Sequence, residues 1–145
     1  MIIKNKKASF EYTLYETYIS GILLVGSEIK SIREGKVSLN ESYCAFINNE
    51  LFLINSHITE YKYTTQFKWD EKRNRKLLLT KQELKKIKRK IEEKGFTLIP
   101  VNMFINEKGK CKVTISIAKG KKTFDKKQSI KEKDLKRELE KYKKF

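Results

Sequence analysis

Apolar residues along this chain recur mainly at intervals of two, in short runs broken by glycine and asparagine, so the pattern predicts more strand than helix. Residues 22–25 form one apolar run that stops at Gly26. Residues 43–47 and 51–54 form two more, separated by Asn48-Asn49, a pair that suits the tight turn of a hairpin. A second hairpin is predicted from residues 97–105 and 112–118, which flank Asn106-Glu-Lys-Gly-Lys. In its second arm Val113, Ile115 and Ile117 alternate with Lys112, Thr114 and Ser116, the signature of a half-buried strand. Pro100 falls inside the first arm and has no N–H to donate, so that arm is expected at a sheet edge or a bulge.

Helical spacing interrupts the strands at three places. Ile29 and Ile32 lie three apart between Ser27 and Gly35, predicting a helix of about two turns. Thr80-Lys-Gln-Glu83 is a capping-box sequence, Leu84, Ile87 and Ile91 share one helical face, and Gly95 stands where a left-handed C-terminal residue is wanted. The opposite face carries Lys85, Lys86, Lys88, Arg89 and Lys90, which fits simple solvent exposure and phosphate contact equally well. Ser129-Ile-Lys-Glu132 repeats the capping pattern before Leu135, Leu139 and Tyr142, but that stripe is too thin to fold unaided. Several short strands with inserted helices predict a mainly β fold with peripheral helices, an OB-like closed or partly open β-barrel that removes exposed edges.

Charge changes the picture. The 145 residues include 34 Lys and Arg against 18 Asp and Glu, a formal charge of +16, far beyond what solubility alone asks for. A polyanionic partner is the simplest reason, and the even spread of charge points to nucleic acid. A membrane surface would call for charge gathered beside one apolar helical face. The start of the chain lacks the apolar run of a signal peptide, so a cytoplasmic protein with no membrane partner is expected. Cys44 and Cys111 are isolated from ligand-like spacings, which predicts reduced, buried thiols and no metal site. His57 is the only histidine and no acidic grouping has catalytic spacing, so His57 is read as a satisfied structural residue and no enzyme activity or cofactor is expected. Residues 1–118 are then expected to form a nucleic-acid-binding barrel and residues 119–145 a basic tail. Twelve Lys or Arg against five Asp or Glu should keep that tail disordered when free and helical when bound.

Five stretches, taken in order, stop being generic: GSEIKSIREGKVSLNESY (residues 26–43), HITEY (57–61), RNRKLLLTKQEL (73–84), KGFTLIPVNMF (94–104) and AKGKKTFDKK (118–127). Together they resemble the SmpB family of SsrA-binding proteins across nearly the whole chain. The resemblance implies an OB-like barrel, binding of transfer-messenger RNA, and delivery of that RNA to stalled ribosomes. The barrel would complete the tRNA-like shape, and the tail would enter the empty message channel near the decoding centre of the small subunit. It implies a monomer that performs no covalent chemistry. A structural ribosomal RNA-binding protein would share the charge and the barrel; the ordered motifs argue against it.

The same resemblance assigns residues. Asn5, with Lys6 and Lys7 in an NKKA-like stretch, matches an RNA-binding position, although a turn asparagine is the plain alternative. Leu78 and Lys112 match RNA-contact positions, with Arg75 and Lys76 adjacent for phosphate; a core strand leucine is the alternative for Leu78. Gly26, Glu28 and Lys30 match a glycine-and-helix segment in which the glycine could simply open the helix and Glu28 complement its dipole. Two residues before Gly21 the family commonly has a glutamate that contributes to RNA recognition, whereas this chain has Ile19. In the tail, Lys119, Gly120, Lys121, Lys122, Phe124, Asp125, Lys126 and Lys127 match the ribosome-binding segment. Lys127 stands where the family usually has arginine and keeps the charge without the planar fork. Trp69, Phe67, Tyr63 and Tyr61 interleave with Lys62, Lys68 and Arg73 as an RNA-facing loop would, with core packing the commoner role for any one of them.

Overall fold

The computed structural model describes residues 2–26, 28–59, 71–93 and 95–121. Its elements in chain order are β1 (Ile2–Lys4), α1 (Ala8–Glu11), β2 (Tyr12–Ile22), α2 (Glu28–Arg33), β3 (Val37–Ser38) and β4 (Tyr43–Ile47). These are followed by β5 (Glu50–Ile54), β6 (His57–Ile58), β7 (Arg75–Leu78), α3 (Lys81–Ile91), β8 (Phe96–Ile105) and β9 (Cys111–Gly120). By their contacts the described residues fall into two units, one of residues 2–9 with 14–118, the other of Phe10–Thr13 with residues 119–121.

Asn48 and Asn49 turn the chain as their residue types suggest. Both sit at positive φ (51° and 66°), a region asparagine tolerates better than most side chains, and the resulting two-residue turn lets β4 and β5 pair from Ile47–Glu50 out to Tyr43–Ile54. The strands run in the order β1-β8-β4-β5-β7-β2-β9, and an additional β8–β9 pairing returns the last strand to the second. Six strands therefore close into a ring, with β1 added on β8 and the short β3–β6 pair separate. This is the closed form of the expected OB-like barrel. Closure leaves no long unpaired edge among the ring strands, so the backbone hydrogen-bond donors that would template aggregation are used internally.

Three expectations are corrected. The apolar run at residues 22–25 is the exit of a strand: β2 occupies Tyr12–Ile22, and Leu23 continues it by one bond, its N–H donating to Lys76 O at 2.9 Å. Tyr15 and Ile19 at outward positions and Ser20 at an inward one blur the period of two in β2. Pro100 lies in an interior strand and not at an edge, because Leu98 pairs with Cys44 of β4 and Asn102 with Lys4 of β1, leaving the proline between the two ladders. Helix α3 ends at Ile91 with a right-handed Glu92 cap, so Gly95, although left-handed (φ 88°), lies beyond the helix and does not stop it.

The other helical expectations that fall on the described residues hold. In α3, Thr80 Oγ1 accepts from Glu83 N–H at 3.2 Å and Glu83 Oε1 accepts from Thr80 N–H at 3.1 Å, the reciprocal capping box. Ile87 is fully buried, with Leu84 and Ile91 packed against the core. Helix α2 ends at Gly35 (φ 77°), where Lys36 N–H reaches Ser31 O and Gly35 N–H reaches Ile32 O, a Schellman closure that only a left-handed residue permits cheaply. Leu53, Ile58, Leu98, Met103 and Ile115 fill the barrel interior. Among the described residues no helix is long and apolar enough to cross a membrane.

One buried charge cluster ties α2 to the barrel. Glu28, at the start of α2, and Arg75, on β7, have no exposed surface. Arg75 donates from Nε (3.0 Å) and Nη2 (2.7 Å) to Glu28 Oε2, while Glu28 Oε1 accepts from Arg73 Nη2 at 2.7 Å and from Val25 N–H at 2.8 Å. The remaining Arg75 donors reach Ser56 Oγ and the carbonyls of Ser56, Glu71 and Arg73. Every donor of the guanidinium is thus matched, the condition under which a buried pair recovers its desolvation cost. Glu28→Ala strands that cation and should lower stability by about 3–5 kcal/mol. Urea denaturation checks this, and a midpoint near the parental value would contradict it.

Candidate nucleic-acid interface

Strand alternation puts one class of residue outside β7 and β2. On β7, Leu77 is buried and Leu78 is 46% exposed. On β2, Ser20 and Ile22 face inward, so Ile19 (61% exposed), Gly21 and Leu23 face outward. The register sets Gly21 against Leu78, and the bond from Leu23 N–H sets Leu23 against Lys76. On the far side of β7, Lys76 is opposite Phe52 of β5, and its ammonium pairs with Glu50 at 2.9 Å.

Strand β9 completes the face. It neighbours β2, and Ser20 Oγ donates to Val113 O at 3.1 Å while Ser116 Oγ donates to Glu16 O at 3.2 Å. The first contact brings Ser20 beside Val113, so half-buried Lys112 lies one residue along β9 from the position bonded to Ser20. Leu78, Ile19 and Leu23 therefore form an exposed apolar strip around a glycine, with Lys76 and Lys112 at its margins. A Cβ at Gly21 would come within 3.3 Å of Leu78 Cβ, so the glycine lets Leu78 lie flat across the strand. Such a strip suits ligands with apolar planar faces and anionic edges, the surface of a nucleotide chain. The core-leucine alternative for Leu78 is set aside, because the one-residue register puts Leu77 in the core instead.

The remaining assigned residues separate. Glu28 and Arg75 satisfy each other at zero exposure, so neither can touch an RNA in this fold: the phosphate role expected of Arg75 and the contact role expected of Glu28 are both corrected. Gly26 is at positive φ (37°) ahead of α2, and Lys30 is exposed on that helix. Asn5 is buried, with Nδ2 donating to Pro100 O at 2.8 Å and Oδ1 accepting from Lys7 N–H at 3.3 Å. Its amide thus anchors the β1–α1 turn to β8, the plain alternative. Lys6 is exposed, and Lys7 pairs with Glu41 at 2.7 Å, a hydrogen bond that holds the Glu41 carboxyl below its usual range. Lys119 and Gly120 end β9, and Lys121 N–H donates to Glu11 O at 2.9 Å. Lys122, Phe124, Asp125, Lys126 and Lys127 lie outside the described residues, as do the helix expected from Ser129 and the aromatic positions Tyr61, Tyr63, Phe67 and Trp69.

His57 Nε2 meets Glu71 Oε1 at 2.9 Å and lines an open polar cleft of about 420 Å³ with Ser38, Glu41, Asn55 and Lys72, a paired structural histidine as expected. Both cysteines are free thiols; burial raises the pKa of Cys44 and pushes that of Cys111 up to about 11. Leu23 has no motif counterpart, and Ile19 departs from the glutamate of the resembled family. What places both on the face is a hydrophobic residue at an outward position, legible once the β2 register is known.

Barrel and face together define a small RNA-binding-type β-barrel of the OB class. The SmpB protein family model matches residues 2–145. SsrA-binding protein of Flavobacterium psychrophilum is 51% identical over 142 residues, covering 98% of this chain and 95% of that protein. SsrA-binding protein of Bacteroides thetaiotaomicron is 53% identical over 137 residues, covering 94% and 91%. A solved structure described as "tmRNA-SmpB: a journey to the center of the bacterial ribosome" superposes with a TM-score of 0.74 at 40% identity, covering 89% of this chain and 94% of that one. The chain belongs to the SmpB family.

The register makes a sharp prediction about neighbouring leucines. Leu77→Ala should cost about 2–5 kcal/mol as a cavity-forming core change, whereas Leu78→Ala should cost less than about 1 kcal/mol. Equal losses in a denaturation series would overturn the assigned faces.

Proposed function

We propose that this protein binds transfer-messenger RNA on the outer face of β7, β2 and β9 and carries it to stalled ribosomes, with the residues from Lys119 onward making the ribosomal contact. The observation that carries the reading is the convergence of Leu78, Lys76 and Lys112 around Gly21 in a member of the SmpB family. The apolar strip offers stacking and ribose contact, and the marginal ammoniums take phosphates. Asn5, Glu28 and Arg75 act from behind this face, by fixing the turn and the strand that present it. Lys6, Lys7, Gly26 and Lys30 belong to peripheral contacts of the same RNA.

The tail reading rests on charge. Residues 119–145 carry a net excess of seven cations, twelve against five, suited to a channel walled by ribosomal RNA. A message and the tail would compete for that channel, so a vacant channel is the signal of a stalled ribosome. The body stands in for the anticodon stem that transfer-messenger RNA lacks. The cytoplasm is the compartment in which this work is done, and the proposal assigns the chain no covalent chemistry.

Two measurements test it. Leu78→Ala should weaken binding of transfer-messenger RNA by about tenfold, the scale of one lost apolar side-chain contact, without altering the fold; unchanged affinity in a gel shift removes this face from the interface. Truncation after Gly120 should leave that affinity near the parental value and abolish peptide tagging on stalled ribosomes. Loss of both together would show that the two roles do not lie on separate parts of the chain.

A further inference from the structure

Several cations of the described surface are met by carboxylates, Lys7 by Glu41, Lys36 by Glu34 and Lys76 by Glu50. Helix α3 instead gathers its cations with almost no acid among them. Residues 81–90 contain Lys81, Lys85, Lys86, Lys88, Arg89 and Lys90 against a single acid, Glu83, whose carboxylate is already engaged in the capping box. Because Leu84, Ile87 and Ile91 turn inward, the cations are gathered on the outward side, where Lys85, Lys86, Lys88 and Arg89 are exposed. Lys81, Lys85 and Arg89 follow one another at i, i+4, as do Lys86 and Lys90, and each like-charged pair at that spacing weakens a helix. Among the described residues, the side chains of Lys81, Lys85, Lys86 and Arg89 have no ion-pair or hydrogen-bond partner. Two cations are held: Lys88 donates to Asn49 Oδ1 at 3.0 Å in the β4–β5 turn, and Lys90 lies 3.5 Å from Glu93 and 4.8 Å over the Phe96 ring. These contacts seat the helix against the barrel while leaving its positive face unneutralised.

Repulsion kept within one rigid helix is relieved by a partner that brings regularly spaced negative charge. We propose that the outward face of α3, centred on Lys85, Lys86 and Arg89, is a second docking surface for the phosphate backbone of a double-helical segment of the same transfer-messenger RNA. This rests on the RNA-binding reading above and extends it to a surface that reads no sequence. Two observations favour that RNA as the occupant. Only Leu79 and Thr80 separate Leu78 of the apolar strip from the first residue of α3, so the charged face continues the proposed interface. Successive cations on one helical side are about 5–6 Å apart, a run of point charges that follows a phosphate chain and makes no demand on base edges.

The test uses the full chain with Lys85→Gln, Lys86→Gln and Arg89→Gln combined, and the tRNA-like part of transfer-messenger RNA as probe over a series of salt concentrations. Affinity should fall at least about tenfold near 0.1 M salt. The slope of log affinity against log salt should shrink by about 2 to 3, one phosphate contact per residue removed. A control with Lys36→Gln, Lys108→Gln and Lys110→Gln removes the same charge elsewhere and should change the slope far less. A Lys85→Arg, Lys86→Arg variant should keep the parental slope, and thermal melting of the triple variant should not fall below the parent, since repulsion has been relieved. A parental slope in the triple variant, or an equal loss in the control, overturns the proposal. A loss seen with ribosomes but not with the isolated RNA overturns it too, by making ribosomal RNA the occupant. If the parent itself shows no preference for this RNA over bulk RNA, the earlier reading fails and takes this one with it; a retained preference with an unchanged slope removes only the α3 surface.

Discussion

The buried contact between Glu28 and Arg75 is the constraint from which the rest of the molecule can be derived. A carboxylate and a guanidinium without exposed surface are tolerable only if nearly every donor and acceptor is matched, and here the matching draws in Val25, Ser56, and Glu71 with Arg73, from three separate segments. The cluster therefore fixes where α2 begins, how β7 enters the sheet and how the chain after β6 returns to it. Arg75 placed inward also sets the alternation of β7: residue 77 must follow it into the core, and residues 76 and 78 must face out. Lys76 and Leu78 owe their positions on the surface to a charge pair they do not touch.

Barrel closure has the complementary role. Because β8 pairs with β9 as well as with β4, the ring satisfies the backbone of its strands without help from a partner. Exposed hydrophobic residues such as Ile19, Leu23 and Leu78 then sit on a sheet whose hydrogen bonds are already made, so they can offer apolar surface without offering a strand edge. That separation allows a sticky face on a highly charged protein. Ile19 makes the strip more apolar than a glutamate at the same place would.

Motif resemblance and geometry divided the assigned residues in an instructive way. Leu78 and Lys112, 34 positions apart in sequence, lie on the two strands that flank β2, and the geometry adds Ile19 and Leu23 on β2 itself. Arg75 and Glu28 looked like surface chemistry in sequence, an arginine beside a lysine and an acid in a first helical turn, and prove to be the internal framework. Asn5 spends its amide on a neighbouring strand. A residue matched to an RNA-binding motif can serve that role by touching the ligand or by holding what touches it, and only burial distinguishes the two.

Much of the architecture was legible from residues alone. Local chemistry decided the Asn48-Asn49 hairpin, the α3 capping box and the Gly35 helix stop, since each depends on groups within six positions of one another. Charge balance alone pointed to a polyanion. Strand β2 was not legible, because Tyr15 and Ile19 at outward positions and Ser20 at an inward one blur its period of two. The neighbours of Pro100 were not legible either, since they come from β1 and β4, far away in sequence. What only the tertiary structure decided was which side of each strand meets the core. That choice turns on a one-residue register, and the register is set by long-range partners, a buried ion pair and a closing strand, whose energies no local stretch of sequence contains.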